Sequence, residues 1–305
     1  MILSASRRTD IPAYYSDWMV NRINERYVYV RNPMNNKQVS KINLDPEAVD
    51  CIIFWSKNPK PMLDKLEHFN NYTYYFQFTL NPYDNDIEKN LPPKDDIIKT
   101  FKKLSDIIGP RRIIWRYDPV LFNNRYTIDY HIEEFNKIAR QLKDYTEKVT
   151  FSFIDFYKKI SGNIKSHRIA EIAFDDKIKI ARNFSKIAKE KNLLIDTCAE
   201  GIDLSQYNII RAKCIDDKLI EKITGNNYSI KKDKNQRLEC GCVKSADIGG
   251  YNSCLNGCIY CYANYSQKTA LNNFNQRSAL SPLLTGEIND SDIITERKIT
   301  GDLLQ

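Results

Sequence analysis

The sequence predicts an α/β fold, a TIM-like (β/α)8 barrel, and three observations carry that expectation. Eight short runs of apolar, β-branched or aromatic residues recur along the chain: MILSAS, RYVYVR, CIIFWS, YYFQFT, RIIWRY, VTFSFI, LLIDTC and IIRAKC. Helical patterns lie between several of them, the alternation expected of a βα-repeating fold. The runs are also apolar almost throughout, as suits parallel strands covered on both faces.

The elements follow in chain order. MILSAS leads into AYYSDWMVNRINER, whose apolar residues recur at helical spacing. RYVYVR is followed by NPMNNKQVSKINLDPEAVD, which holds at most one short helix, and this weak crossover makes an incomplete barrel the alternative. CIIFWS and YYFQFT precede PKDDIIKTFKKLSDII, where Pro93 and the acidic pair Asp95 and Asp96 mark a helix start. The first turn of a helix has N–H groups without backbone partners and favours negative charge. RIIWRY leads into the helix TIDYHIEEFNKIARQLKDY, and VTFSFI into DDKIKIARNFSKIAKEKN, before LLIDTC and IIRAKC close the series. Pro59 and Pro119 read as strand ends that set the direction of the following loop.

Beyond residue 225 the alternation stops. The stretch from TGNNYS to CYANYSQ is rich in Gly, Asn, Ser and Lys and has little periodic apolarity, so it buries little core unaided. A bound metal would order it, because metal-binding free energy becomes folding free energy in small irregular segments. The expected organisation is a barrel over residues 1–225 and a cysteine-rich metal-binding extension with a tail over 226–305.

A chain of 305 residues is long enough to bury a full core. MILSASRRTD contains no apolar signal region, and no stretch approaches the roughly 18 apolar residues of a membrane span. The expectation is a cytoplasmic protein without a membrane partner. The formal charge of +7 is spread along helical stretches, which reads as solvated helix faces and leaves a nucleic-acid or phosphate partner as the alternative. His68, His131 and His167 lie within or beside helical surface patterns, so a histidine-based zinc hydrolase is not expected.

In a barrel enzyme the chemistry sits at the C-terminal ends of the strands. Here those positions hold Arg7, Arg8 and Asp10; Arg31 and Asn32; Ser56, Lys57 and Asn58; and Thr79 and Asn81. Further along come Arg116 and Asp118; Ser152 and Asp155; Cys198 and Glu200; and Cys214 and Asp216. Arg7, Arg8, Asp10, Lys57, Arg116 and Asp118 are the candidate catalytic set: guanidiniums clamp anions in bidentate fashion, and carboxylates move protons. The same pattern also fits a network of ion pairs and caps around βα loops. A small or anionic substrate is the expected partner.

Five of the eight cysteines fall within CGCVKSADIGGYNSCLNGCIYC. Thiolates are soft ligands suited to zinc and to iron–sulfur clusters, and in a cytoplasmic chain clustered cysteines point to metal or catalysis. A structural zinc site takes four ligands, and the pair Cys258 and Cys261 with Cys254 and either Cys240 or Cys242 would supply them. Cys51 reads as a small core residue, and core packing is also expected for Cys198 and Cys214, which fall at strand ends.

The spacing Cys254-x3-Cys258-x2-Cys261, with Tyr260 before the third cysteine, resembles the cluster motif of the radical S-adenosylmethionine superfamily. That resemblance implies that Cys254, Cys258 and Cys261 hold a [4Fe–4S] cluster with one iron open to S-adenosylmethionine, and that Tyr260 stands at the aromatic, cofactor-side position. It also implies an electron donor as partner. CLNGCIYCYAN is similar to the loop of the spore-photoproduct-lyase-like branch. The chain departs from the superfamily in two respects: its motif follows the last strand-like run, and it has no Gly-Gly-Glu segment. Over its length, through SASRRTDIPAYY, FWSKNPKPM, RIIWRYDPV and the terminal cysteine segment, the chain resembles the family called domain of unknown function 1848, a name that supplies no reaction. The combined expectation is an iron–sulfur enzyme. The rivals are an iron–sulfur protein that does not use S-adenosylmethionine and a zinc-stapled binding protein.

Overall fold

The computed structural model describes residues 1–297, so the end of the expected 226–305 extension lies outside the described residues. Eleven strands occur in chain order: β1 Ile2–Ala5, β2 Tyr27–Arg31, β3 Gln38–Asn43, β4 Cys51–Ser56, β5 Tyr74–Thr79, β6 Ile113–Val120, β7 Lys148–Phe153, β8 Leu194–Thr197, β9 Ile210–Arg211, β10 Ala246–Asp247 and β11 Ile293–Glu296. The helices are α1 Ile11–Tyr14, α2 Ser16–Glu25, α3 Lys94–Ile108, α4 Ile128–Leu142, α5 Ser161–Ser166, α6 Phe174–Glu190, α7 Asp217–Thr224 and α8 Gln267–Asn275. No helix among the described residues is long and apolar enough to cross a membrane.

Eight strands form one sheet in the order β10-β1-β4-β5-β6-β7-β8-β9, and each neighbouring pair is parallel. The order follows the chain except at β10, so the ends of β1 and of β4 to β9 open towards the same side. Side chains alternate between faces along a strand. Phe54, Phe76, Trp115 and Phe151 pack towards the helices, where Phe135 of α4 and Phe184 of α6 stack at 3.9 Å. On the other face, Ile53, Tyr75 and Ile114 meet Ile215 and Val243. Both faces are covered, which is why the runs are apolar throughout.

Two expectations about the strands need correction. The second run, β2, is outside the main sheet. It pairs antiparallel with β3, and β11 completes a separate three-stranded sheet. The physical reason lies in the sequence between them: NPMNN turns the chain into a hairpin, in which Val28 and its partner Ile42 are buried together with Val39 while most other residues are partly exposed. The first and third runs, β1 and β4, therefore pair directly, and the other edge of β1 is taken by β10, a two-residue strand in a stretch without strand-like patterning. Pro119 also lies inside β6 rather than ending it, at the point where the register with β7 slips.

Strand pairing does not close this sheet into a barrel: among the described residues no ladder joins β10 to β9. The sheet is nevertheless curled. Tyr75 Oη and Gln77 Nε2 of β5 donate to the Cys214 carbonyl, just beyond β9, at 2.7 and 2.8 Å.

His131 differs from its expected surface position. It is fully buried on α4, where its Nε2–H donates to the Leu121 carbonyl and Nδ1 accepts from Tyr117 Oη, each at 2.8 Å. Burial holds the imidazole neutral, with its pKa lowered from 6.5 to about 4. The unfolded chain therefore takes up a proton near pH 6.5 that the folded chain refuses until about pH 4. Stability is fully present above 6.5 and falls through that window, by about 3 kcal/mol from this one group. Denaturant unfolding at a series of pH values is expected to show this loss, and a His131→Phe variant is expected to show a flatter profile between pH 6.5 and 4.

Candidate functional site

The strand ends and the C-terminal cysteine loop enclose one cavity of 480 Å³. Arg7, Arg8, Asp10, Lys57, Arg116 and Asp118 all line it. So do Cys254, Cys258, Cys261, Tyr260, Cys240 and Cys242. Thr79, Ser152 and Asp155 share the lining, whereas Asn58, Asn81, Glu200 and Asp216 stand outside it. Arg31 is remote: it pairs with Asp292 at 2.6 Å beside the small sheet.

Asp10 ties three segments together. Its Oδ1 accepts from Ser56 Oγ at 2.7 Å and from the Ala13 amide at 3.1 Å, which caps α1. Its Oδ2 accepts from the Lys57 amide at 2.8 Å and from Asn256 Nδ2 at 2.9 Å. Burial raises its pKa. With both oxygens engaged, the carboxylate acts as a fastener between the ends of β1 and β4 and the cysteine loop.

Lys57 is buried and donates to Glu88 Oε1 and to Tyr260 Oη, both at 2.8 Å. Lys94 reaches the other Glu88 oxygen at 2.6 Å, and Asn81 Nδ2 donates to Glu88, to Tyr260 and to the Asp118 carbonyl. Burial alone would raise the Glu88 carboxyl, but the two lysines hold it down at about 2. A carboxylate between two ammonium groups fixes the Tyr260 hydroxyl, and with it the aromatic position of the cysteine motif.

Arg116, almost fully buried, donates to Asp118 and, at 2.9 Å, to Cys214 Sγ. Burial would raise the Asp118 carboxyl, but Arg116 and the Ser152 hydroxyl keep it below the usual carboxylate range. Arg8 binds Asp247 through Nε at 3.2 Å and Nη2 at 3.0 Å. Of the four cations in the candidate set, Arg7 alone makes no ion pair among the described residues, and its buried Nε has no hydrogen-bond partner. Its guanidinium lies 5.8 Å from the centre of the Trp55 ring. The cavity therefore holds a ring of compensated charges and one cation free to meet an anion.

The loop from 252 to 264 is fixed from several sides. Asn264 Oδ1 accepts from the amides of Ser253 and Cys254 at 2.7 and 2.8 Å, and its Nδ2 donates to the Arg8 carbonyl at 2.9 Å and to Cys261 Sγ at 3.6 Å. Tyr15 Oη donates to the Ser253 carbonyl at 2.7 Å, and the Asn90 amide donates to the Asn256 carbonyl at 3.1 Å. Gly257 turns the chain at φ +67°, a conformation other residues rarely adopt. The Cys254, Cys258 and Cys261 thiols remain partly exposed to the cavity, and burial pushes Cys258 up to about 12.

Cys240 and Cys242 do not group with this trio. Cys242 Sγ accepts from the Ile215 amide at 3.5 Å, beside Cys214, and Cys214 Sγ lies 3.3 Å from Cys198 Sγ. Burial, followed by the nearby Asp10, raises the Cys254 thiol. Cys214 is buried in one of the core clusters with Cys198 packed against it, as expected, and both also line the cavity. No group of three or more Cys, His, Asp or Glu side chains among the described residues is arranged to hold a metal ion, so any ion or cluster must draw these thiols together.

Sequence reasoning missed Glu88, Asp247, Asn256 and Asn264. Each is a polar residue outside the patterned runs and helices, and its role depends on a partner far away in the chain. Asp247 is the most telling: it also accepts from Ser6 Oγ at 2.6 Å and from the Arg7 and Gly249 amides at 3.1 and 3.0 Å.

A family model described as Domain of unknown function (DUF1848) matches residues 2–263, which covers the sheet and the cysteine loop together. No curated protein matches the chain.

The fastening role of Asp10 sets an expected outcome. Asp10→Ala leaves the Lys57 amide and Asn256 Nδ2 without their acceptor, which is expected to cost about 2 to 4 kcal/mol in denaturant unfolding. Limited proteolysis is expected to cut faster within residues 252–264, with Asp10→Asn between the two in both measurements.

Proposed function

The chain belongs to the DUF1848 family, whose description names no reaction, and from its site we propose an iron–sulfur enzyme with radical S-adenosylmethionine-type chemistry on an anionic substrate. One observation carries the reading: the three thiols of the Cys-x3-Cys-x2-Cys loop and the unpaired Arg7 share one cavity at the strand ends. In this reading the curled sheet is an incomplete barrel, and its strand ends are the active face.

The donor set fits a cluster with one open iron. Cys254, Cys258 and Cys261 are three soft ligands from one short loop, and the other cysteines nearby have partners of their own. When bound, such a cluster with S-adenosylmethionine supplies one-electron chemistry that ends in hydrogen abstraction. The chain's own residues bind and orient. Arg7 takes the carboxylate or phosphate of a ligand in a charge-assisted hydrogen bond. Trp55 offers an apolar floor beneath Arg7 and Arg116, whose guanidinium lies 5.2 Å from the ring centre. Asp118, held ionised by Arg116 and Ser152, offers its remaining lone pairs as hydrogen-bond acceptors for a substrate hydroxyl or amine. Glu88, Lys57 and Tyr260 hold the loop's aromatic residue still.

The anaerobic visible spectrum of fresh protein, with iron and sulfide counts, tests this. The expected result is a brown protein that loses about four iron per chain when Cys254, Cys258 and Cys261 are all replaced by Ala. Its reduced-cluster spin signal is expected to shift on adding S-adenosylmethionine, and Arg7→Gln is expected to keep the iron while raising the concentration needed for that shift by about tenfold or more. A colourless protein with tightly held zinc, or a spin signal indifferent to S-adenosylmethionine, would overturn the mechanism.

A further inference from the structure

We propose that Cys198, Cys214, Cys240 and Cys242 form a second thiolate metal centre in the same cavity, distinct from the Cys254, Cys258 and Cys261 loop. The four thiols come from three places in the chain. Cys198 follows β8 and Cys214 follows β9, adjacent parallel strands whose ends bring the two sulfurs to 3.3 Å. Cys240 and Cys242 come from the later irregular segment, and Cys242 Sγ accepts from the Ile215 amide at 3.5 Å. Cys198 and Cys214 are in direct sulfur contact, Cys242 Sγ sits on the amide of the residue after Cys214, and all four side chains line the same cavity.

The backbone is built for this approach. The Val243 amide donates to the Ile215 carbonyl at 3.2 Å, which clamps the Cys-Gly-Cys turn to the segment after β9. At Gly241 a Cβ would lie 3.0 Å from Lys213 Cγ and 3.2 Å from the Ala212 carbonyl oxygen, so a side chain there would lever the turn away.

Charge supplies a second, independent argument. A divalent ion, or the core of a [4Fe–4S] cluster, bound by four thiolates carries a formal charge of about −2. Two guanidiniums stand beside these sulfurs. Arg116 Nη1 donates to Cys214 Sγ at 2.9 Å, and the unpaired Arg7 lies within the electrostatic reach of Cys214 and Cys242. A buried anionic centre beside Arg7, and beside Arg116 which it would share with Asp118, is partly compensated, whereas four neutral thiols leave Arg7 without an ion pair among the described residues. The spacing is also suitable: four sulfurs around one zinc at about 2.3 Å stand about 3.8 Å apart. The 3.3 Å pair needs to open only slightly, and the outer thiols must close in. Zinc and an iron–sulfur core share this ligand chemistry.

The test uses full-length protein purified without oxygen, with zinc, iron and sulfide counted per chain. The Cys254→Ala, Cys258→Ala, Cys261→Ala triple variant removes the first loop and is expected to keep about one zinc, or about four iron with sulfide, per chain. A Cys240→Ser, Cys242→Ser variant is expected to lose that metal and keep whatever the first loop holds. If this double variant does not fold, Cys198→Ser serves, since that thiol is partly exposed and meets the group through Cys214. Zinc alone or iron with sulfide identifies the centre, and either supports it. A metal-free triple variant would overturn the proposal, as would alkylation mapping that finds the four cysteines as free thiols or as disulfides in fresh wild-type protein. Because the triple variant lacks the first loop, failure here and failure of the radical mechanism give different results.

Discussion

A charge removed from water must find its opposite nearby, and the architecture of this mouth follows from that requirement. Glu88 is fully buried and Asp247 and Asp118 are largely so, and each is held ionised by a neighbouring cation: the Lys57 and Lys94 pair, Arg8, and Arg116. Removing one member of such a pair leaves a buried charge, which costs more than the pair contributes. The pairs therefore act less as glue than as locators. Arg8 is set by a strand that arrives 239 residues later in the chain, and Lys57 is set by a loop after β5. Against that background the exception carries information: Arg7 is a cation without a carboxylate, in a cavity where every other candidate cation has one.

The same requirement explains why the cysteine loop is fastened so firmly to the first strand. Thr9 Oγ1 donates to the Gly250 carbonyl at 2.9 Å and accepts from the Gly250 amide at 3.0 Å. Gly249 passes so close to the end of β1 that a Cβ there would lie 2.0 Å from Ser6 Oγ. These contacts place β10 and the loop after it against the segment carrying Arg7, Arg8 and Asp10, so the thiols and the charges are positioned by one set of bonds. The segment without periodic patterning is thus ordered by backbone and side-chain hydrogen bonds to the sheet, with β10 as part of it.

The large parallel sheet was legible because burial on both faces leaves a simple mark, the continuous apolar run, and α3, α4 and α6 were legible because one face of each is buried. The second run was misassigned because Tyr27–Arg31 has strand propensity, and propensity does not reveal which sheet a strand joins; only the turn residues after it separate a hairpin from a crossover. β10 left no mark, since two residues paired to β1 need no pattern of their own. His131 was read from its helix, yet its burial is decided by Tyr117 and Leu121 on a different element. At the site, the charges after strongly apolar runs were legible because strand ends are marked in sequence. Their partners Glu88 and Asp247 were not, because nothing local marks an acid whose cation is distant.

The grouping of the cysteines makes the same point and takes it a step further. Spacing in sequence linked Cys240 and Cys242 with Cys254, since short separations suggest a shared ligand. The fold breaks that link: the chain between Cys242 and Cys254 contains β10, which is anchored to β1, so the two cysteine segments leave this strand in opposite directions. The segment before β10 meets the ends of β8 and β9, and the segment after it meets the loop that follows β5. A strand of two residues therefore separates two sets of thiols and presents both to one cavity. Arg7, two residues beyond the strand that β10 pairs with, lines the same cavity.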